Sequence, residues 1–306
     1  MGCIDESLAK VFVTGDLNVD NIATGVVFGG ITRVNAIRRA VGGSAYNATI
    51  AFQDAGFTPF LHGKIGSDSN GDLIMDELKI RGIHTLINRD AAKPTGTCHI
   101  VYSRDHQHLR TVYYTGDNAN DYSTASLKRA LYSADLGAAD FIFASLHMYD
   151  QTEQNESTCR AFFALLRDSG AQLIVDIVPH TIYKSLNVES ICRIVGSPPF
   201  MFIGEYRTYM NLIDPAWGDR DCTPSETDCR LIANRFAAQY FACRYGIGNI
   251  SRELLFQRSA SSILLLGPER QTGFDGIPDI EKPGFGDRLT ADNLRKILLS
   301  RFQQLY

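Results

Sequence analysis

Apolar residues along this chain fall into short runs that switch between two periods. Val11-Phe12-Val13-Thr14 is a β-branched and aromatic run that stops at Gly15, the pattern of a buried first strand. Residues 21–40 are rich in Gly, Val and Thr without helical period and predict short strands. Over 44–55 the period changes. Ala45, Ala48, Ala51 and Ala55 recur at i+3 and i+4, which predicts a helix whose small-residue face packs closely on a sheet. The pattern then predicts a strand at 59–63, a helix at 70–81, and a hairpin of 97–103 with 109–115. Further on it predicts a helix at 123–134 with Ser123 as N-cap, a strand at 141–144, a helix at 153–168, and strands at 172–176 and 200–203. A helix starts at Arg207, a polar loop fills 214–226, and an amphipathic helix covers 227–244. A strand at 262–266 and a terminal helix at 289–305 complete the series.

Strand–helix alternation over most of the chain predicts an α/β fold: a doubly wound, mostly parallel sheet flanked by helices. The β-rich stretches 21–40 and 97–115 break that alternation and predict a separate small sheet. With no internal repeat and no low-complexity linker, 1–306 is expected to be one domain, its small-sheet strands lying within 17–40 and 95–116.

Composition narrows the function. Apolar residues make up 44% and charged residues 21%, as in ordinary globular proteins. Net charge is −4 with no basic block, so a nucleic-acid partner has no electrostatic support. No apolar run approaches the roughly 20 residues of a membrane span, and residues 1–10 carry acids without the apolar core of a signal peptide. The expected location is the cytoplasm, with no membrane partner. Seven scattered cysteines without a CxxC pair fit reduced thiols, not a disulfide frame or zinc site.

Two glycine-containing constellations carry candidate chemistry. In Gly42-Gly43-Ser44-Ala45-Tyr46-Asn47, two glycines open a small-residue helix. Backbone can approach a ligand there, free N–H groups are on offer, and Asn47, one turn in, is placed to bond a hydroxyl. By itself such a Gly-Gly entrance is more often just a tight turn. In Gly284-Phe285-Gly286-Asp287, the Gly-x-Gly backbone can wrap its N–H groups round an anion, and the acid beside it can take a proton from an attacking hydroxyl. An Asp before a helix is equally often only a cap.

Together, in this order and separation, the two motifs resemble those of the ribokinase-like (PfkB) carbohydrate kinases. Gly42–Asn47 continues through Ala55-Gly56 to Gly63, Gly66, Asp68, Gly71 and Asp72, similar to that family's N-terminal signature. Gly15-Asp16-Leu17-Asn18-Val19-Asp20 resembles its first strand and sugar-binding turn. Thr95-Gly96-Thr97 and Gly116–Asn120 sit where the family has its lid hairpin and following loop, and 284–287 resembles its C-terminal anion hole.

The resemblance implies ATP- and Mg2+-dependent phosphorylation of a hydroxyl on a sugar or sugar-containing metabolite. It implies that Asn18, Asp20, Gly42, Gly43 and Asn47 contact the substrate. Asp287 would be the general base, the backbone of Gly284, Phe285 and Gly286 the anion hole, and Glu281 would stand near the metal. Arg207 and Gly267 fall on the nucleotide side. A homodimer through the lid is a further implication of the family.

The departures lie on that nucleotide side. Gly204-Glu205-Tyr206-Arg207 aligns with the family's Asn-x-x-Glu motif, so a cation replaces a carboxylate. Leu264 stands where a hydroxyl is usual, and Phe285 where Ala is usual. Nineteen residues follow Asp287, fewer than the family's usual adenine-groove segment. The alternatives are a nucleoside kinase and a catalytically impaired, sugar-binding pseudokinase with a binding or regulatory role. Arg38-Arg39 reads as a solvated pair that could otherwise meet a phosphate on the substrate. His106, His108, His147 and His180 read as loop histidines.

Overall fold

The computed structural model describes residues 9–27, 31–34, 36–104, 110–115, 123–146, 156–177, 187–197, 199–213, 253–258, 262–266 and 271–275, together with short helical stretches at 231–232, 234–236, 239–240, 291–292 and 294–295. Its larger sheet is built on β1 (Lys10–Thr14), which pairs in parallel with β4 (Thr58–Gly66) on one side and β8 (Phe141–Ser145) on the other. Beyond β4 lies β5 (His84–Asp90). Beyond β8 lie β9 (Gln172–Ile177), β10 (Met201–Glu205) and β11 (Glu253–Arg258), all parallel. Two antiparallel strands, β12 (Ser262–Leu266) and β13 (Gln271–Asp275), finish that edge. Later strands thus add to the opposite side of β1 from β4 and β5. That reversal puts a topological switch point at β1/β8, where open α/β sheets bind ligands beyond the carboxyl ends of their strands.

Side-chain alternation along the central strands β1, β8 and β9 buries both faces of this sheet. Val11, Val13, Phe141, Phe143 and Ile174 point to one face. They pack with Ala45, Ala48 and Phe52 of α1 (Ser44–Asp54) and Ile74 and Leu78 of α2 (Ser69–Ile80). Phe12, Ile142, Ala144 and Val175 point to the other face. There they meet Leu127 and Ala130 of α3 (Thr124–Ala134), Phe162 and Phe163 of α4 (Glu156–Asp168), and Ile191 and Val195 of α5 (Val188–Val195). On this second face His62 is fully buried, its Nδ1 3.0 Å from the Thr14 hydroxyl and its Nε2 3.1 Å from the Ser126 hydroxyl. Asn88 also donates to Ser126. These polar contacts hold the start of α3, capped by Ser123, against β4.

The small sheet is β3 (Ile37–Gly42), β2 (Asn18–Val26), β6 (Gly96–Ser103) and β7 (Arg110–Thr115), in that spatial order. β2 pairs antiparallel with β3 and parallel with β6, and β6 pairs antiparallel with β7. The predicted separate sheet is therefore present. β2 leaves the main sheet through Gly15–Leu17, β3 runs into α1 through Gly42-Gly43, and β6 follows β5 through 91–95.

Several elements differ from the sequence expectation. β4 extends to Gly66, past the predicted stop at Gly63. β5, α5, β11 and β13 were not predicted. β5, HTLINRD, is a half-exposed edge strand without an apolar run, and β11 and β13 are short. α5 spans only eight residues. α6 (Tyr206–Ile213) follows β10 directly, as expected.

Candidate functional site

The site begins in the turn after β1. Asp16 is 4% exposed, and three donors converge on its carboxylate. Oδ1 accepts the Ser44 N–H at 2.9 Å and the Ser44 hydroxyl, and Oδ2 accepts a Nδ2–H of Asn18 at 2.8 Å. Its backbone carbonyl accepts the Ala45 N–H at 3.2 Å. The reason lies at the start of α1. The N-cap of α1 is Gly43, which has no side chain to satisfy the first free N–H groups. Asp16 supplies that cap from 28 residues upstream. Sequence reading assigned Asp16 no role of its own. The available signal was a glycine where a capping side chain belongs.

The adjacent glycines serve different neighbours. Gly43 has φ +98°, and a β-carbon there would stand 2.3 Å from the Asp16 carbonyl oxygen, so position 43 demands glycine on conformation and space alike. A β-carbon on Gly42 would stand 2.2 Å from Oδ2 of Asp20. The Asp20 carboxylate therefore lies across Gly42.

Register explains the rest. Asn18 pairs with Gly42 on one side and Gly96 on the other, so neither residue directly opposite it carries a side chain. Asp20, two residues on, shares that face. Both are buried, at 2% and 5% exposure. Oδ1 of Asn18 has no hydrogen-bond partner among the described residues. Asn47 lies on α1 one turn beyond Gly43, half-buried, and its side chain makes no hydrogen bond among the described residues. Asn18, Asp20, Gly42, Gly43 and Asn47, all predicted from sequence, are thus gathered around the Asp16–Ser44 junction.

A second junction ties the small sheet to α2. Asp68, the N-cap of α2, accepts the Gly71 N–H at 2.8 Å, the Thr95 N–H at 2.8 Å and the Thr95 hydroxyl at 2.6 Å, and the Thr95 oxygen accepts the Gly66 N–H at 2.9 Å. Burial alone would raise the Asp68 carboxyl, but hydrogen bonds from Thr95, Gly71 and Asn70 outweigh it and hold the group below its ordinary value. Asn70 accepts from Arg39 and donates to Thr97. Arg38 and Arg39 are both exposed, and Arg39 links β3 to α2 through Asn70.

Arg207 is the second residue of α6, at the carboxyl edge of β10, and Leu264 sits inside β12 opposite Phe256 and Gly273. Gly267, Glu281, Gly284, Phe285, Gly286 and Asp287 lie outside the described residues, as do His106, His108, His147 and His180. Among the described residues no group of three His, Cys, Asp or Glu side chains is placed to hold a metal, and no helix is long and apolar enough to cross a membrane.

Residues 8–206 match the family described as pfkB family carbohydrate kinase. The chain belongs to that family. Its members are phosphotransferases, so this PfkB chain has the fold and class of a carbohydrate kinase. Solved structures agree on the fold. An adenosine kinase of Anopheles gambiae matches with TM-score 0.67 at 15% identity, covering 96% of this chain and 90% of its own. Arabidopsis thaliana ribokinase, complexed with ribose and ATP, matches at 0.64 and 15%, covering 95% and 86%. Phosphofructokinase-2 of Escherichia coli, in complex with fructose-6-phosphate, matches at 0.66 and 11%, covering 95% and 87%. No curated protein matches the chain.

Proposed function

We propose that this PfkB protein transfers a phosphoryl group from ATP, with Mg2+, to a hydroxyl of a sugar or nucleoside held between the small sheet and the start of α1. The observation that carries the reading is the buried Oδ1 of Asn18, unpartnered among the described residues, beside Asp20. A buried acceptor without a donor is costly unless a ligand supplies one, and a ring hydroxyl does so. Asn47, opposite on α1, adds a second polar contact. The small sheet serves as the lid over the substrate.

Chemistry then falls to the second motif. Asp287 takes the proton of the attacking hydroxyl, and the backbone of Gly284, Phe285 and Gly286 stabilises charge on the transferring group, as its Gly-x-Gly-Asp sequence suits. Glu281 would help hold the metal, which would neutralise charge on the phosphates, and Arg207 and Gly267 would face the nucleotide. Cys98, Cys159 and Cys192 are buried and not in disulfides, which fits work in the reducing cytoplasm. The family's habit supports a dimer formed through the lid.

The test is ATP consumption with Mg2+ over a panel of sugars and nucleosides including D-ribose, adenosine and fructose 6-phosphate, with calorimetric titration of ATP and of each acceptor. Turnover of one acceptor is the expected result. A second reading, a sugar-binding pseudokinase, rests on Arg207 and Leu264 where the family carries a carboxylate and a hydroxyl. Acceptor binding with no ATP binding and no turnover would select it.

A further inference from the structure

The Asp16–Asn18 contact fixes which atom Asn18 can offer a ligand. Asp16 receives the Ser44 N–H and hydroxyl on Oδ1 and the Asn18 amide on Oδ2, so the carboxylate acts only as an acceptor. Turning the amide over would set Oδ1 of Asn18 against Oδ2 of Asp16 at about the same 2.8 Å, two acceptors in contact. The Nδ2 end is therefore committed to Asp16, and the end left without a partner is an oxygen. Asp20, the next residue along that lid face, carries a carboxylate, a second group that only accepts.

We infer that Asp16 is a positioning residue that sets the donor–acceptor sense of the site: by holding the Asn18 amide, it makes Asn18 read its ligand as a hydrogen-bond donor. This rests on the proposed hydroxyl-binding reading and deepens it. A hydroxyl satisfies Asn18 by donating. A fluorine, ether or phosphate oxygen at the same place cannot. Asp16→Asn keeps an oxygen for Ser44 but turns an N–H toward Asn18. The Asn18 amide then reverses and presents Nδ2–H to the ligand. The exchange Asp16→Asn/Asn18→Asp restores a bonded pair whose outward atom is again an acceptor.

Calorimetric titration with D-ribose, adenosine and fructose 6-phosphate, each paired with its deoxyfluoro analogues at every ring hydroxyl in turn, reads this directly. Fluorine is close to a hydroxyl in size and has no proton to donate. Wild type is expected to prefer the hydroxyl form over at least one analogue by about tenfold to a hundredfold, the loss for an unsatisfied buried acceptor. In Asp16→Asn that ratio collapses towards one, and the double exchange recovers it. A purely structural role would weaken both ligands equally and leave the ratio unchanged, and an unchanged ratio in Asp16→Asn overturns the inference.

Failure of wild type to bind any probe would overturn the hydroxyl-site reading but not this one. The second measurement, the Asn18 side-chain amide in spectra of 15N-asparagine protein assigned with Asn18→Ala, needs no ligand and no foldable Asp16 variant. Slow exchange with water is expected. Exchange as fast as that of an exposed asparagine overturns the inference.

Discussion

The carboxylate of Asp20 occupies the space that a side chain on Gly42 would need, with Oδ2 2.2 Å from the position of the missing β-carbon. Gly42→Ala forces the Asp20 side chain, not the backbone, to move. We therefore expect the main effect on binding, affinity for the sugar or nucleoside falling about tenfold or more, with a smaller loss of stability than backbone strain would bring. Denaturant melts and titration of one variant separate the two effects. Unchanged affinity would place the ligand away from Asp20.

Gly43→Ala should behave in the opposite way. Its β-carbon would meet the Asp16 carbonyl at 2.3 Å and the Leu17 α-carbon at 3.0 Å, both backbone, at φ +98°. The strain falls on the turn that carries the lid. A stability loss of about 1–3 kcal/mol or more is expected, read as a lower unfolding midpoint. A variant as stable as wild type would show that the turn yields.

Asp68 gives the lid junction an acid limit. Its carboxyl is held below the ordinary value in the folded protein, so its contribution is complete above the usual carboxylate range, about pH 4, and is lost as pH falls through the lower folded value. Wild type should therefore lose stability on acidification more steeply than Asp68→Asn, which is weaker at neutral pH and flatter below it. Melting temperature followed from neutral to acidic pH for both proteins makes the comparison. Parallel curves would remove Asp68 from the acid response.

Asp287→Asn should lower turnover by about 10²–10⁴ with little change in acceptor affinity, the signature of a lost general base. Steady-state rates on the acceptor found by the ATP screen, with titration beside them, decide this. Near-normal turnover would end the role.

Arg207 stands at the start of a helix at the carboxyl edge of β10. An arginine contacts phosphate directly with a forked pair of donors, whereas the family's carboxylate acts through a metal. Arg207→Ala should weaken ATP by about 1.5–3 kcal/mol, and wild type should show a shallow magnesium dependence. Equal affinities of both proteins, with and without magnesium, would reject the contact.

Sequence alone determined the elements whose side chains carry a strong period. β1 and β8 are continuous apolar runs because both sheet faces are covered, and α1 announces itself through its alanine spacing. Gly42, Gly43 and Asn47 stood out as a glycine-opened helix start, whereas Asn18 and Asp20 became candidates only through the resemblance to the PfkB family. The edge strand β5 was not legible, since a half-exposed strand lacks that period. Only the tertiary structure decided what Gly42 and Gly43 make room for and that Asp16 caps α1. Those facts depend on β2 folding back along β3, which brings Asn18 level with Gly42 and sets Asp16 at the open N–H groups of α1. Hydrogen bonds and steric exclusion act over a few ångströms in space, so 28 residues of chain between Asp16 and Ser44 hide the contact from any local pattern.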